Sequence, residues 1–153
     1  MSLNEQFSQD IVEWIDALSA PNDALGGMSV CPFAKRAKFS VVHVNGEVAV
    51  PENLNFELVI YVFPDSLSQE HLHVMATDLN ATHPEMVFLP DHKDRVTHIN
   101  GVVTNNGKHN LLLCQPKYKL RDARAALRRT SYYSHWDEQY LKEILGEDYG
   151  NMD

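Results

Sequence analysis

Residues 56–63 read Phe-Glu-Leu-Val-Ile-Tyr-Val-Phe, a nearly unbroken run of apolar, β-branched and aromatic side chains that Pro64 closes. A run that does not alternate polar with apolar predicts a strand buried on both faces rather than one lying at the surface. Behind it, Leu72, Met75, Ala76 and Leu79 recur at helical spacing, with Asp65 or Ser66 as N-cap, and Pro84 bars continuation. The spacing predicts a helix over about 66–81. Met86 to Leu89 then forms a short second strand, so strand, helix and strand make a right-handed crossover onto one sheet.

The rest of the chain adds to that unit. Phe7, Ile11, Trp14, Ile15 and Leu18 define an amphipathic helix over 3–19, Ser2 and Glu5 have capping-box spacing, and Pro21 and Asn22 end it. Phe39–Val44 and Glu47–Val50 flank Asn45-Gly46, the dipeptide best suited to a tight hairpin turn. Ile99–Thr104 and His109–Gln115 flank Asn105-Asn106-Gly107, a second hairpin signal. Helices follow at about 118–131 and 137–145, before an acidic tail. The expected class is α+β: a single mixed or antiparallel sheet with two hairpins and helices packed on it. With 153 residues and no composition break, the chain reads as one domain. It divides into an N-terminal helix over 1–20, an α+β core over 31–130, and a C-terminal helix with acidic tail over 131–153.

No apolar run approaches the ~20 residues of a membrane helix, and the N-terminus lacks a secretory pattern, so a soluble cytoplasmic protein with no membrane partner is expected. Two cysteines, Cys31 and Cys114, are too few for a disulfide scaffold, and buried packing is their simplest role. The net charge of −8 is unevenly spread: six of the thirteen basic residues fall in 117–129 against Asp122 alone. That segment carries +5 and the remainder −13. The whole chain therefore does not read as a nucleic-acid binder, although one local surface suits anions.

Three constellations carry chemistry. Cys31 follows Gly26-Gly27 and precedes Pro32 and the basic residues Lys35, Arg36 and Lys38. A thiol at the first turn of a helix, beside cations, is biased toward the nucleophilic thiolate. Asp91 and His92 form a potential acid/base pair in a loop after the second strand. Lys117, Arg121, Arg124 and Arg128 follow i, i+4, i+7, i+11, one stripe on a helix, fit to hold phosphate, carboxylate or an acidic protein surface. Eight histidines raise the question of a metal, with Cys31, His71, His73, His83, His92 and His98 of suitable type. Their spacing matches no ligand pattern, and His71 and His73, two apart on a helix, point to different sides. No metal and no cofactor is therefore assigned.

Val30-Cys31-Pro32-Phe33-Ala34-Lys35 resembles the Cys-Pro-Phe-Ala motif of an uncharacterised bacterial family, domain of unknown function 1415. The similarity runs through Val59–Pro64 and Phe88–His92 to Thr104-Asn105-Asn106 and Leu111–Leu113. That resemblance implies interest in Cys31 without implying a reaction. The motif is also similar to the Cys-Pro-x-Cys of thiol-disulfide proteins, with Ala34 in place of the resolving cysteine. The leading expectation is a Cys31-centred pocket that binds or acts on a small anionic molecule, Cys31, His92 and Asp91 doing chemistry and Lys35, Arg36, Arg121, Arg124 and Arg128 supplying charge. The alternative is a non-enzymatic interaction protein, bacterial or phage-encoded, docking an acidic partner through helix 117–129. Oligomeric state is left open.

Overall fold

The computed structural model describes residues 3–19, 38–96, 98–99 and 102–128. Elements in chain order are α1 (Leu3–Ser19), β1 (Phe39–His43), β2 (Leu58–Phe63), α2 (Gln69–Thr82), β3 (Met86–Asp91), β4 (His98–Ile99), β5 (Val102–Val103), β6 (Asn110–Pro116) and α3 (Lys117–Arg128). They belong to an α+β arrangement. Within the described residues the chain separates into two compact units. One holds residues 38–96 and 105–120; the other holds α1, β4, β5 and α3 from Arg121 onward.

The first unit is a four-stranded mixed sheet in the order β1-β2-β6-β3. β2 pairs antiparallel with β6 from Val59↔Cys114 to Phe63↔Asn110, and β6 pairs antiparallel with β3 from Met86↔Pro116 to Asp91↔Leu111. β1 runs parallel to β2. The expected crossover through α2 therefore joins two parallel strands that are not neighbours, because β6 lies between them; this is a split β-α-β unit. β2 is buried from Val59 to Phe63, as its unbroken apolar run predicts.

The register sorts the side chains. Val59, Tyr61, Phe63, Leu112, Cys114, Met86 and Phe88 share one face and build the core with Leu72 and Ala76 of α2. Ile60, Val62 and Leu111 occupy the opposite face and are also buried. At about 1.5–3 kcal/mol for each large apolar side chain, these buried residues dominate the stability of the unit. α2 begins two to three residues later than its spacing suggests. Its N-cap is Ser68, in extended conformation, whose hydroxyl accepts the His71 N–H at 3.1 Å.

Both expected hairpins are replaced, for identifiable reasons. Glu47–Val50 does not pair with β1; the stretch from Val44 to Glu57 is the connection that parallel pairing of β1 with β2 requires. Val48, Val50, Leu54 and Phe56 pack on the core, and the Tyr61 hydroxyl donates to the Ala49 carbonyl at 2.7 Å. Burial of these side chains outweighs the turn preference of Asn45-Gly46. The second hairpin fails because both edges of β6 are taken by β2 and β3, leaving none for 99–104. Instead β4 and β5 form their own two-stranded ladder.

In the second unit α1 spans 3–19 as its periodicity predicts, with Phe7 and Ile11 buried. The Trp14 indole donates to the Thr104 carbonyl at 3.0 Å. α3 begins at Lys117, and the expected helix over 137–145 and the acidic tail lie outside the described residues. No helix among the described residues is long and apolar enough to cross a membrane.

β3 is an edge strand, and its free side is closed by one side chain. The Asn80 amide donates to the Phe88 carbonyl at 2.9 Å, and its oxygen accepts the Phe88 N–H at 2.8 Å. Asn80 thus occupies the hydrogen-bonding positions a neighbouring strand would use. Replacing it (Asn80→Ala) should lower stability by about 1–3 kcal/mol by leaving both Phe88 groups without a protein partner. Urea denaturation should register this as a lower midpoint with unchanged slope; an unmoved midpoint would mean that water replaces the amide without loss.

Candidate functional site

Asp91 and His92 lie where β3 ends, beside the turn that leads into α2. Pro64 and Leu67 form a turn before α2, and the fully buried Asn110 opens β6 directly beneath it. The Asn110 amide donates to the Pro64 carbonyl at 3.0 Å and to that of Leu67 at 3.3 Å, while its oxygen accepts the Lys93 N–H at 3.1 Å. Three segments distant in sequence are therefore fixed by one side chain. A buried amide satisfied in this way is rigid, because any movement strands a donor or acceptor away from water.

His92 adds a second tie. Its Nε2 lies 2.6 Å from the Leu67 carbonyl, which can only accept, so Nε2 carries the proton and donates. Nδ1 accepts the Asp94 N–H at 3.1 Å, with the Asp94 carboxylate 3.8 Å away. The ring is buried and engaged at both nitrogens. In this arrangement His92 ties the turn before α2 to the chain leaving β3.

Asp91 is different. Its Oδ2 accepts the Asn106 N–H at 3.2 Å, and burial pushes its carboxyl up to about 6. The upward push prevails over the opposing influence of Asn106, Arg95 and His92. Asn106 is itself locked: its oxygen accepts the Lys108 and His109 N–H groups at 2.9 and 2.6 Å, and its amide donates to the His109 carbonyl at 3.0 Å. Gly107, at φ +73°, completes a loop that a residue with a Cβ would strain. Asn105-Asn106-Gly107, expected as a hairpin turn, thus positions a carboxyl group.

Beside these residues opens a cleft of about 380 Å³, lined by Gln69, Glu70, Leu72, His73, Pro90, His92 and Arg95. Its walls are the first turns of α2 and the chain leaving β3, with Leu72 and Pro90 supplying apolar surface. Arg95 and the α2 N-terminus favour negative charge, and Glu70 opposes it. No sequence motif marked Gln69, Glu70 or Arg95. The available signal was positional: ligands of open sheets gather at carboxyl ends of strands beside helix N-termini.

Among the described residues, the lining of the cleft includes none of the other expected ones. Cys31, Lys35 and Arg36 lie outside the described residues, as does the side chain of Arg128. In α3, Arg121 is exposed but Arg124 is buried, with 8% of its surface accessible, so the basic stripe is not one continuous exposed surface. Cys114 is fully buried against Met86, and burial pushes its thiol up to about 12, in keeping with a packing role. Among the described residues no three His, Cys, Asp or Glu side chains gather as a metal site. No family model, curated protein or solved structure matches the chain.

The raised Asp91 carboxyl makes stability depend on pH in a defined direction. Folded Asp91 keeps its proton up to about pH 6, whereas an unfolded Asp loses it near about 4. Its contribution is fully present at low pH and disappears as pH rises through that window. Asp91→Asn, which cannot ionise, should escape the loss. Urea denaturation at the two ends should find wild type falling relative to the variant by about 2 kcal/mol, the full shift being discounted for partial solvent access. A constant difference would mean that Asp91 ionises as an ordinary carboxylate.

Proposed function

We propose that this protein binds a small, singly charged anionic molecule in the cleft between the start of α2 and the end of β3. The observation that carries the reading is the lining itself: Arg95, His73, Gln69 and the α2 N-terminus around about 380 Å³ of space. A guanidinium offers paired donors in the geometry a carboxylate or phosphate accepts, and helix N–H groups add partial positive charge. Glu70 sets the charge limit, since a dianion would meet its carboxylate. Leu72 and Pro90 favour a ligand with an apolar portion. His92, which lines the cleft, is fixed by the Leu67 carbonyl and the Asp94 N–H, so that part of the wall is ordered before binding.

Isothermal titration with small monocarboxylates, dicarboxylates and inorganic phosphate tests this reading. A monocarboxylate should bind most tightly, Arg95→Gln should weaken it by about tenfold or more, and added salt should weaken it further. Equal binding by wild type and R95Q, or no binding by any member of the set, would overturn it.

Thiol chemistry at Cys31 belongs to the same proposal as a separate element, supported by its place before Pro32, Lys35 and Arg36. Native iodoacetamide labelling near neutral pH should modify Cys31 rapidly, and Cys31→Ser should abolish the signal. Cys114, buried with its thiol pushed up to about 12, should stay unlabelled until the protein is unfolded. A native protein inert toward the reagent would make Cys31 a packing residue.

A further inference from the structure

Three Asn-Gly pairs occur in the chain, and the two within the described residues hold their asparagines in opposite ways. Asn106 has its amide bound to the His109 carbonyl and its oxygen bound to the Lys108 and His109 N–H groups. Its own N–H is held by Asp91. Asn45 is exposed, and its side chain makes no hydrogen bond among the described residues. Gly46, at φ +132°, has nothing within 4 Å of the position a Cβ would take. The third pair, Asn100-Gly101, lies outside the described residues.

A following glycine leaves its peptide nitrogen uncovered, so an asparagine whose side chain can swing against that nitrogen is open to attack from within the chain. We infer that Asn45 is a site of spontaneous deamidation in the folded protein, whereas Asn106, followed by the same residue, is protected by its hydrogen bonds. The Gly46 nitrogen bonds to Asn45 Cγ and gives up its proton, the Cγ–Nδ2 bond breaks, and the side-chain nitrogen leaves as ammonia. The product is a five-membered succinimide. Water then adds to one of its two carbonyl carbons and opens the ring, giving aspartate or isoaspartate. No oxidant or reductant takes part.

The reaction needs rotation about the Asn Cα–Cβ bond and the adjoining backbone. At Asn45 only solvent opposes this, because the last β1-side contact is one residue earlier, where the Val44 N–H meets the Val62 carbonyl at 2.8 Å. At Asn106 the same rotation would break three side-chain bonds and release the loop that holds Asp91. Either product adds one negative charge immediately beyond β1, and isoaspartate also reroutes the main chain through the side-chain carbon.

Incubation of the full chain at mildly alkaline pH, followed by peptide mapping with mass spectrometry, tests the inference. In the folded protein Asn45 should convert at least about tenfold faster than Asn106, the factor that loss of one or two net hydrogen bonds represents. In denaturant the two rates should approach each other. Comparable conversion of both residues in the folded protein overturns the inference, as does an intact Asn45. A slow Asn106 that stays slow in denaturant also overturns it, because its protection would then owe nothing to the fold.

Discussion

The pairing of β6 on both its edges is the constraint on which the rest of the described sheet depends. Eleven ladder positions on β2 and β3 find their partners on seven residues, Asn110 to Pro116, and Leu111 to Cys114 are paired on both sides. A backbone so enclosed has no access to water, so each of its N–H and C=O groups must be satisfied by the neighbouring strands. This explains why a continuous apolar segment suffices at 111–114, and why the polar residue that opens the strand, Asn110, has its amide and its oxygen bonded to protein. It also sets where function can reside. With the middle of the sheet closed, the polar groups able to meet a ligand are pushed to the strand ends, where β3 hands over to Asp91, His92 and Arg95.

The sequence announced the elements more clearly than their partners. Phe56–Phe63 and the Leu72/Ala76/Leu79 spacing located β2 and α2 because burial leaves a periodic mark on composition. Pairing leaves almost none. Asn45-Gly46 and Asn106-Gly107 each carry the local preference of a reversing turn, but local preference amounts to about 1 kcal/mol and the competing terms are larger. Val48 and Val50 gain more on the core than on an exposed β1, and β6 gains two ladders where a hairpin would offer one. Asn106 and Asn110 look like ordinary loop residues in the sequence. Their importance comes from contacts across 15 to 46 residues, which no short window contains.

The candidate site was legible only in part for the same reason. Asp91 and His92 drew attention as an adjacent carboxylate and imidazole, yet β3 ends between them, Asp91 being its last residue and His92 the first beyond it. The structure gives them different surroundings: one is a half-buried carboxyl that accepts the Asn106 N–H, the other a buried ring bonded to Leu67 and Asp94. Neither depends on the other as an acid/base pair would. The cleft draws its polar lining from α2 and from Arg95 instead, residues whose types are common at any protein surface and gain meaning from the space they share.

The placement of β6 bears on how the chain acquires its structure as it is made. β1, β2, α2 and β3 all precede it in sequence, so a ribosome delivers the whole frame before the strand that fills its centre. In the finished sheet β2 and β3 stand about two strand spacings apart, roughly 10 Å, and before residues 110–116 are made neither has the partner that separates them. The gap is specific, since only a segment running antiparallel to both neighbours satisfies it. It is also the moment of greatest exposure to competing strands from other nascent chains. Pairing of residues 110–116 with both neighbours removes that exposure, and the same strand carries Asn110 to the turn before α2.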